Sequence, residues 1–139
     1  MSKTIYALLL SIFLVAACDS GDSNNVGPRF DIAFSDNGSA VADGRISFDS
    51  APRLGESLTG DFSFATPDGN PVEPLTITSG SMNATLDDSG MLLVTIIDPN
   101  VSDSGLQFEG AYATSGYSGM WGTITFVGYM EQGTFAATP

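Results

Sequence analysis

The stretch "RFDIAFSDNGSAVADGRISF", residues 29–48, decides the fold. Phe30, Ile32 and Phe34 recur at every second position, so an extended chain carries all three on one face. Asp36-Asn37-Gly38 follows, and these residue types tolerate the left-handed backbone that a tight hairpin demands. Ile46 and Phe48 then resume the alternation. The reading is two half-buried antiparallel strands joined by a short turn.

The same grammar continues along the chain. Leu58, Phe62 and Phe64 share a face of a third strand, with Gly60 in register. Leu75 and Ile77 begin a fourth, whose phase changes to Met82, Ala84 and Leu86 across Ser79-Gly80-Ser81, where a bulge would re-aim it. "MLLVTII", Met91–Ile97, is nearly continuous apolar and reads as the most buried strand, or as one buried on both faces. Leu106, Phe108 and Tyr112 alternate again with Gly110 in register, residues 121–127 alternate threonines with apolar residues, and residues 133–138 close the chain. Asp68-Gly69-Asn70-Pro71, Asp88-Ser89-Gly90, Ser104-Gly105 and Ser115-Gly116 supply the turns between them.

With 16 glycines and 7 prolines, no segment after residue 17 that is free of both is longer than nine residues, which leaves little room for a long helix. Connections this short join neighbouring strands. The expectation is one all-β domain over residues 29–139, an antiparallel up-and-down meander of about eight strands. A small barrel is favoured over a two-layer sandwich, because the glycine-rich last third suits strongly coiled strands.

The chain begins differently. Lys3 precedes an apolar segment over residues 5–17, broken only by Tyr6 and Ser11. That is the length of a secretory signal and short of the roughly 18–20 residues a spanning helix needs. The segment ends Val15-Ala16-Ala17-Cys18, which resembles the lipobox of bacterial lipoproteins, with valine where leucine is commoner. The resemblance implies cleavage before Cys18, lipidation of that cysteine, and a membrane partner reached through the lipid. It covers only about the first twenty residues. Two or more acyl chains anchor stably where one barely does, at about 0.8 kcal/mol per buried methylene. Residues 18–28 are small and polar and read as a tether. Asp19 resembles an inner-membrane retention signal of enteric bacteria, whereas acidic tracts at this point resemble a surface-export signal of other envelopes, so membrane and face stay open.

Loss of residues 1–17 removes Lys3 and no acid, making the mature chain one unit more negative than the −12 of the whole. It keeps Arg29, Arg45 and Arg53, with no lysine and no histidine. Such a surface repels phosphates, which argues against nucleic acid as a partner. The acids are spread along the sequence, as a soluble acidic surface requires. Without His or Lys, the mature chain cannot assemble Ser-His-Asp, Cys-His, Ser-Lys, Schiff-base or imidazole–zinc chemistry, and no phosphate-cradling glycine loop opens a helix. No cofactor is expected.

Carboxylate chemistry survives this filter. Asp88-Ser89-Gly90 and Asp103-Ser104-Gly105 share the Asp-Ser-Gly triplet of aspartic proteases, whose two aspartates must meet and share a proton. Here Asp87 and Ser102, not an apolar strand, precede the triplets, and hairpin turns explain both. A glycosidase pair of acids is equally permitted by composition and equally unspecified. Asp98, Asn100 and Asp103, and the set Asp36, Asn37 and Asp43, are weak calcium candidates that match no EF-hand spacing, with solvated turns as the competing explanation. Trp121 is expected in the core, and Tyr112, Tyr117 and Tyr129 are open between core and binding surface.

In strand count and order residues 29–138 loosely resemble lipocalin-like barrels. A lipocalin Gly-x-Trp lies in the first strand, whereas Gly119-Met120-Trp121 lies in the seventh here, so no binding residue carries over. The sequence therefore points to a lipid-anchored, non-enzymatic protein of the bacterial cell envelope. One reading encloses a small apolar ligand among Phe48, Phe62, Phe64, Phe108 and Phe126. The alternative is an interaction or adhesion module for an envelope protein, with a packed core and its function on loops or a strand edge. A carboxylate hydrolase is third.

Overall fold

The structure, a computed structural model, describes residues 27–139. The signal segment, Cys18 and most of the tether lie outside the described residues. Eight strands follow in order: β1 (Arg29–Asp36), β2 (Ser39–Phe48), β3 (Ser57–Ala65), β4 (Ser79–Leu86), β5 (Met91–Ile97), β6 (Gly105–Ala113), β7 (Gly116–Thr125) and β8 (Gly128–Thr138). Each pairs antiparallel with the next, and β8 pairs with β1, so the meander closes into a barrel. This is the all-β barrel expected from the alternation. Gly27 and Pro28, assigned to the tether by composition, already lie against β2: the Phe48 amide donates to the Pro28 carbonyl at 3.1 Å.

The first hairpin forms as its sequence dictates. Asn37 (φ 48°) and Gly38 (φ 81°) both adopt the left-handed conformation that a two-residue primed turn requires. Inward residues then alternate around the barrel, and Leu92, Val94 and Ile96 of β5 are completely buried. On the outer face of β5, Leu93 and Thr95 are only half-buried and Ile97 is exposed. "MLLVTII" is thus the most buried strand on one face only, because a barrel has a single interior.

Phe34 is the hub of that interior. Its ring meets Phe64, Phe108 and Trp121 edge-to-face at centroid distances of 5.1, 5.5 and 5.4 Å, with Phe135 tilted against it at 6.3 Å. These distances are the preferred range for aromatic pairs. Phe135 fits between Phe108 and Tyr117, at 5.1 and 4.8 Å, where its cross-strand neighbour is Gly119, itself opposite Gly110. A Cβ on Gly119 would stand 2.0 Å from the Glu109 carbonyl oxygen, so β6 and β7 approach here as closely as two bare backbones allow.

The fourth strand corrects the sequence reading. β4 starts at Ser79, and Leu75 and Ile77 belong to the connection over residues 66–78. Pro71 and Pro74 supply no amide donor to a ladder, and Thr76 is held instead by Asp98. Val72 and Leu75 point into the core from this connection and extend it at one end of the barrel. The turn expected at Asp68-Gly69-Asn70-Pro71 falls two residues earlier, on Thr66–Gly69, with the Gly69 amide donating to the Thr66 carbonyl at 2.8 Å.

A strict antiparallel meander sorts the connections by end. The chain enters at Arg29, and the connections at residues 49–56, 87–90 and 114–115 lie at that same entry end, as does Thr138. The turns at 37–38 and 126–127 and the connections at 66–78 and 98–104 lie at the far end.

Candidate functional site

The far end carries an open groove of about 620 Å³ between the 66–78 connection and the inner edge of β7–β8. Two irregularities shape it. The β1–β2 register slips after Phe34, leaving Val41 unpaired, and the β7–β8 register slips after Trp121, leaving Gln132 unpaired. Both extra residues line the groove. Bulges re-aim side chains at barrel rims, and here each delivers one side chain to the same place.

The phase of β7 explains why the groove is polar. Trp121 faces inward, and so do Thr123 and Thr125 beyond it, whereas Ile124 faces away. The threonine–apolar alternation of residues 121–127 therefore has its hydroxyls, not its apolar residues, on the inner face at this rim. Gln132 donates from Nε2 to Thr123 Oγ1 at 3.3 Å. Trp121 forms the floor; it is buried, and its Nε1 donates to the Ser35 carbonyl at 3.0 Å. On the opposite wall the connection contributes Asp68 and Glu73, both exposed.

Asp98 anchors this wall. Its side chain is 3 % exposed, and Oδ2 accepts from the Thr76 amide at 2.5 Å and from Thr76 Oγ1 at 2.8 Å. Oδ1 accepts from the Asn100 amide at 2.7 Å. These donors hold its pKa below the ordinary aspartate value, the Thr76 amide most strongly. Asp98 and Asn100 thus fasten the 98–104 connection to the 66–78 connection. Asp103 sits in the same connection with φ 58°, as a turn residue. Among the described residues, no three His, Cys, Asp or Glu side chains gather as metal ligands.

The two Asp-Ser-Gly triplets lie at opposite ends of the barrel, Asp88-Ser89-Gly90 at the entry end and Asp103-Ser104-Gly105 at the far end. Their aspartates cannot meet, so no protease dyad exists. The first triplet is a turn organised by Asp87, whose Oδ1 accepts from the Ser89 hydroxyl at 2.6 Å and from the Ser89 and Met91 amides, both at 2.9 Å. The Ser89 hydroxyl is the chief reason its pKa lies below the usual aspartate value.

Of the phenylalanines expected to line a ligand cavity, Phe48, Phe62, Phe64 and Phe108 do face inward and are buried. They pack on other rings: Phe62 on Phe64 at 4.7 Å, Phe48 on Phe30 at 6.3 Å, and Phe108 in the Phe34 cluster. Phe126 does not join them. β7 ends at Thr125, and Phe126 forms the turn into β8 with 87 % of its surface exposed. An inward Phe126 follows from grouping the apolar residues of 121–127 on one face; counted from Trp121, the period of two puts Thr123 and Thr125 inward instead, and the strand ends before Phe126.

The tyrosines divide. Tyr117 is buried, donates to the Leu92 carbonyl at 2.5 Å, and burial pushes its pKa far above the ordinary phenol value. Tyr112 packs its ring on Phe30 and Tyr117 at 6.1 and 6.2 Å. Tyr129 lies on the outer wall over Gly122, close enough that a Cβ there would touch its ring at 2.6 Å. Its pKa is raised by burial first, then by Glu131 and Glu109.

Compared with known proteins, the chain matches no family model, no curated protein and no solved structure.

Proposed function

We propose that this chain is a lipid-anchored binding module of the bacterial cell envelope, with a packed β core and its recognition surface at the far end of the barrel. The observation that carries this is the filled interior: Phe34 is buried and surrounded by Phe64, Phe108, Trp121 and Phe135. Eight strands enclose a volume that side chains alone can fill, and here rings fill it. That favours the interaction module over the internal ligand cavity. A closed barrel has no free edge for a partner strand to extend, which leaves the loops.

The address rests on the residues that resemble a lipobox, Val15-Ala16-Ala17-Cys18. A lipid on Cys18 fits the barrel's polarity. The ten residues between Cys18 and Arg29 reach at most about 35 Å when fully extended, and Arg29 is at the entry end. The groove then faces away from the membrane that holds the anchor.

Two measurements on the full chain test the proposal. Cys18→Ser is expected to move the protein from the membrane to the soluble fraction of its host. Titration of the wild-type protein with a fluorescent fatty-acid probe is expected to show no saturable uptake. Membrane retention of the serine variant contradicts the address, and one-to-one uptake of the probe contradicts the packed module.

A further inference from the structure

We infer that the groove docks an extended, cationic segment of a partner protein whose apolar side chains bear on the Phe126–Val127 turn; the inference rests on the packed-module reading above. Phe126 and Val127 are 87 % and 73 % exposed, and nothing in the fold uses them. The turn takes its left-handed residue at Gly128 (φ 115°), so neither turn geometry nor packing calls for phenylalanine and valine at its tip. Adjoining exposed apolar side chains rimmed by polar residues mark interaction sites. The tip adjoins the groove directly, since Thr125, the residue before Phe126, lines it.

The charge distribution identifies the partner. Asp68 and Glu73 stand on the groove wall, and the described residues hold only three arginines. Arg29 and Arg53 are at the entry end, and Arg45 is on the outer wall, 3.1 Å from Asp31 in the only ion pair among the described residues. The far end therefore presents carboxylates with no cation of its own. A second copy of the chain would bring the same acidic end and be repelled; a lysine- or arginine-bearing segment is attracted. The rim supplies hydroxyls and an amide from Thr123, Thr125 and Gln132, which suit the amides and carbonyls of an extended backbone. A groove of about 620 Å³ accommodates a few residues of such a segment.

The test uses the full chain in detergent micelles and fluorescence anisotropy. The probe is a fluorescein-labelled ten-residue peptide of alternating lysine and valine, compared with its glutamine-for-lysine counterpart and with a labelled neutral oligosaccharide. The lysine peptide is expected to bind, more weakly as salt rises, and the glutamine peptide to bind worse. The paired variant Asp68→Asn with Glu73→Gln is expected to weaken the lysine peptide about two- to thirtyfold, and Phe126→Ser at least about fivefold. A charge-matched pair at the entry end, Glu56→Gln with Asp88→Asn, is expected to leave binding unchanged. All these side chains are exposed, so the variants fold. The inference is overturned by equal affinity across the variants, by equal loss from the entry-end pair, or by binding of the oligosaccharide alone. The fatty-acid titration on the same sample separates the two levels. Uptake removes the packed-module reading, whereas no uptake together with no peptide binding removes only the docking inference.

Discussion

Replacing Phe34 with alanine removes the ring on which the others converge. The side chain is 1 % exposed and lies between 5.1 and 6.3 Å from four other aromatic centroids, contributed by β3, β6, β7 and β8. Truncating a buried phenylalanine costs about 3–5 kcal/mol, from lost burial plus the void left behind. The upper half of that range is expected, because each strand around the void is hydrogen-bonded on both sides and cannot collapse inward. For a domain of this size each kcal/mol lowers Tm by roughly 4–6 °C, so about 16–30 °C is lost. The assay is urea unfolding followed by far-UV circular dichroism, with Phe126→Ala as a control within about 0.5 kcal/mol of wild type. A second readout is benzene: an apolar void of ring size stays dry and takes up such a molecule, so benzene is expected to stabilise Phe34→Ala and leave wild type unmoved. A loss below about 1 kcal/mol, or benzene stabilising wild type as strongly as the variant, refutes the claim that rings fill the barrel.

Further outcomes follow from single contacts. Tyr117→Phe leaves the Leu92 carbonyl without its donor and is expected to cost about 0.5–1.5 kcal/mol in the same urea assay. Because the folded state keeps the Tyr117 proton above the pH at which an unfolded tyrosine loses it, wild-type stability is expected to fall as pH rises past about 10, and Tyr117→Phe to flatten that fall. Asp98 has a depressed pKa, so its contribution is present above the ordinary aspartate value near 3.8 and is lost as pH drops below it. Asp98→Asn is expected to weaken that acid dependence and to speed hydrogen exchange at the Thr76 amide; unchanged exchange there contradicts the role of Asp98 as a fastening between two connections. Gly119→Val places side-chain atoms against the Glu109 carbonyl and is expected to cost about 1–3 kcal/mol or more, read as a lower Tm.

Much of the barrel was legible because its interior obeys one rule. Inward positions such as Phe30, Ile32 and Phe34, or Leu92, Val94 and Ile96, are apolar at a period of two, and the left-handed turn at Asn37-Gly38 is written in residue type. What period two could not show were the departures from it. Leu75 alternates with Ile77 like a strand, yet two prolines and the pull of Asp98 on Thr76 keep the segment a connection. Phe126 continues the alternation of Ile124, yet the inward phase of β7 is the one that Tyr117 and Trp121 share, which puts Thr123 and Thr125 inside and Phe126 out of phase. The groove is built from those departures: two bulge residues, a non-strand connection and the polar rim of β7. Its parts lie far apart in sequence, so composition alone did not gather them. Asp98 was singled out as an acid in a loop, and only its donors reveal a structural carboxylate.

The most direct measurement is a native mass spectrum of the full-length protein, purified gently from its own host. A barrel filled by its own rings, anchored through Cys18, gives the mass of the processed chain plus its acyl groups and nothing that leaves on mild activation. A reproducible additional small molecule, released on activation and absent after solvent extraction, contradicts the packed interior and restores the barrel as a ligand carrier.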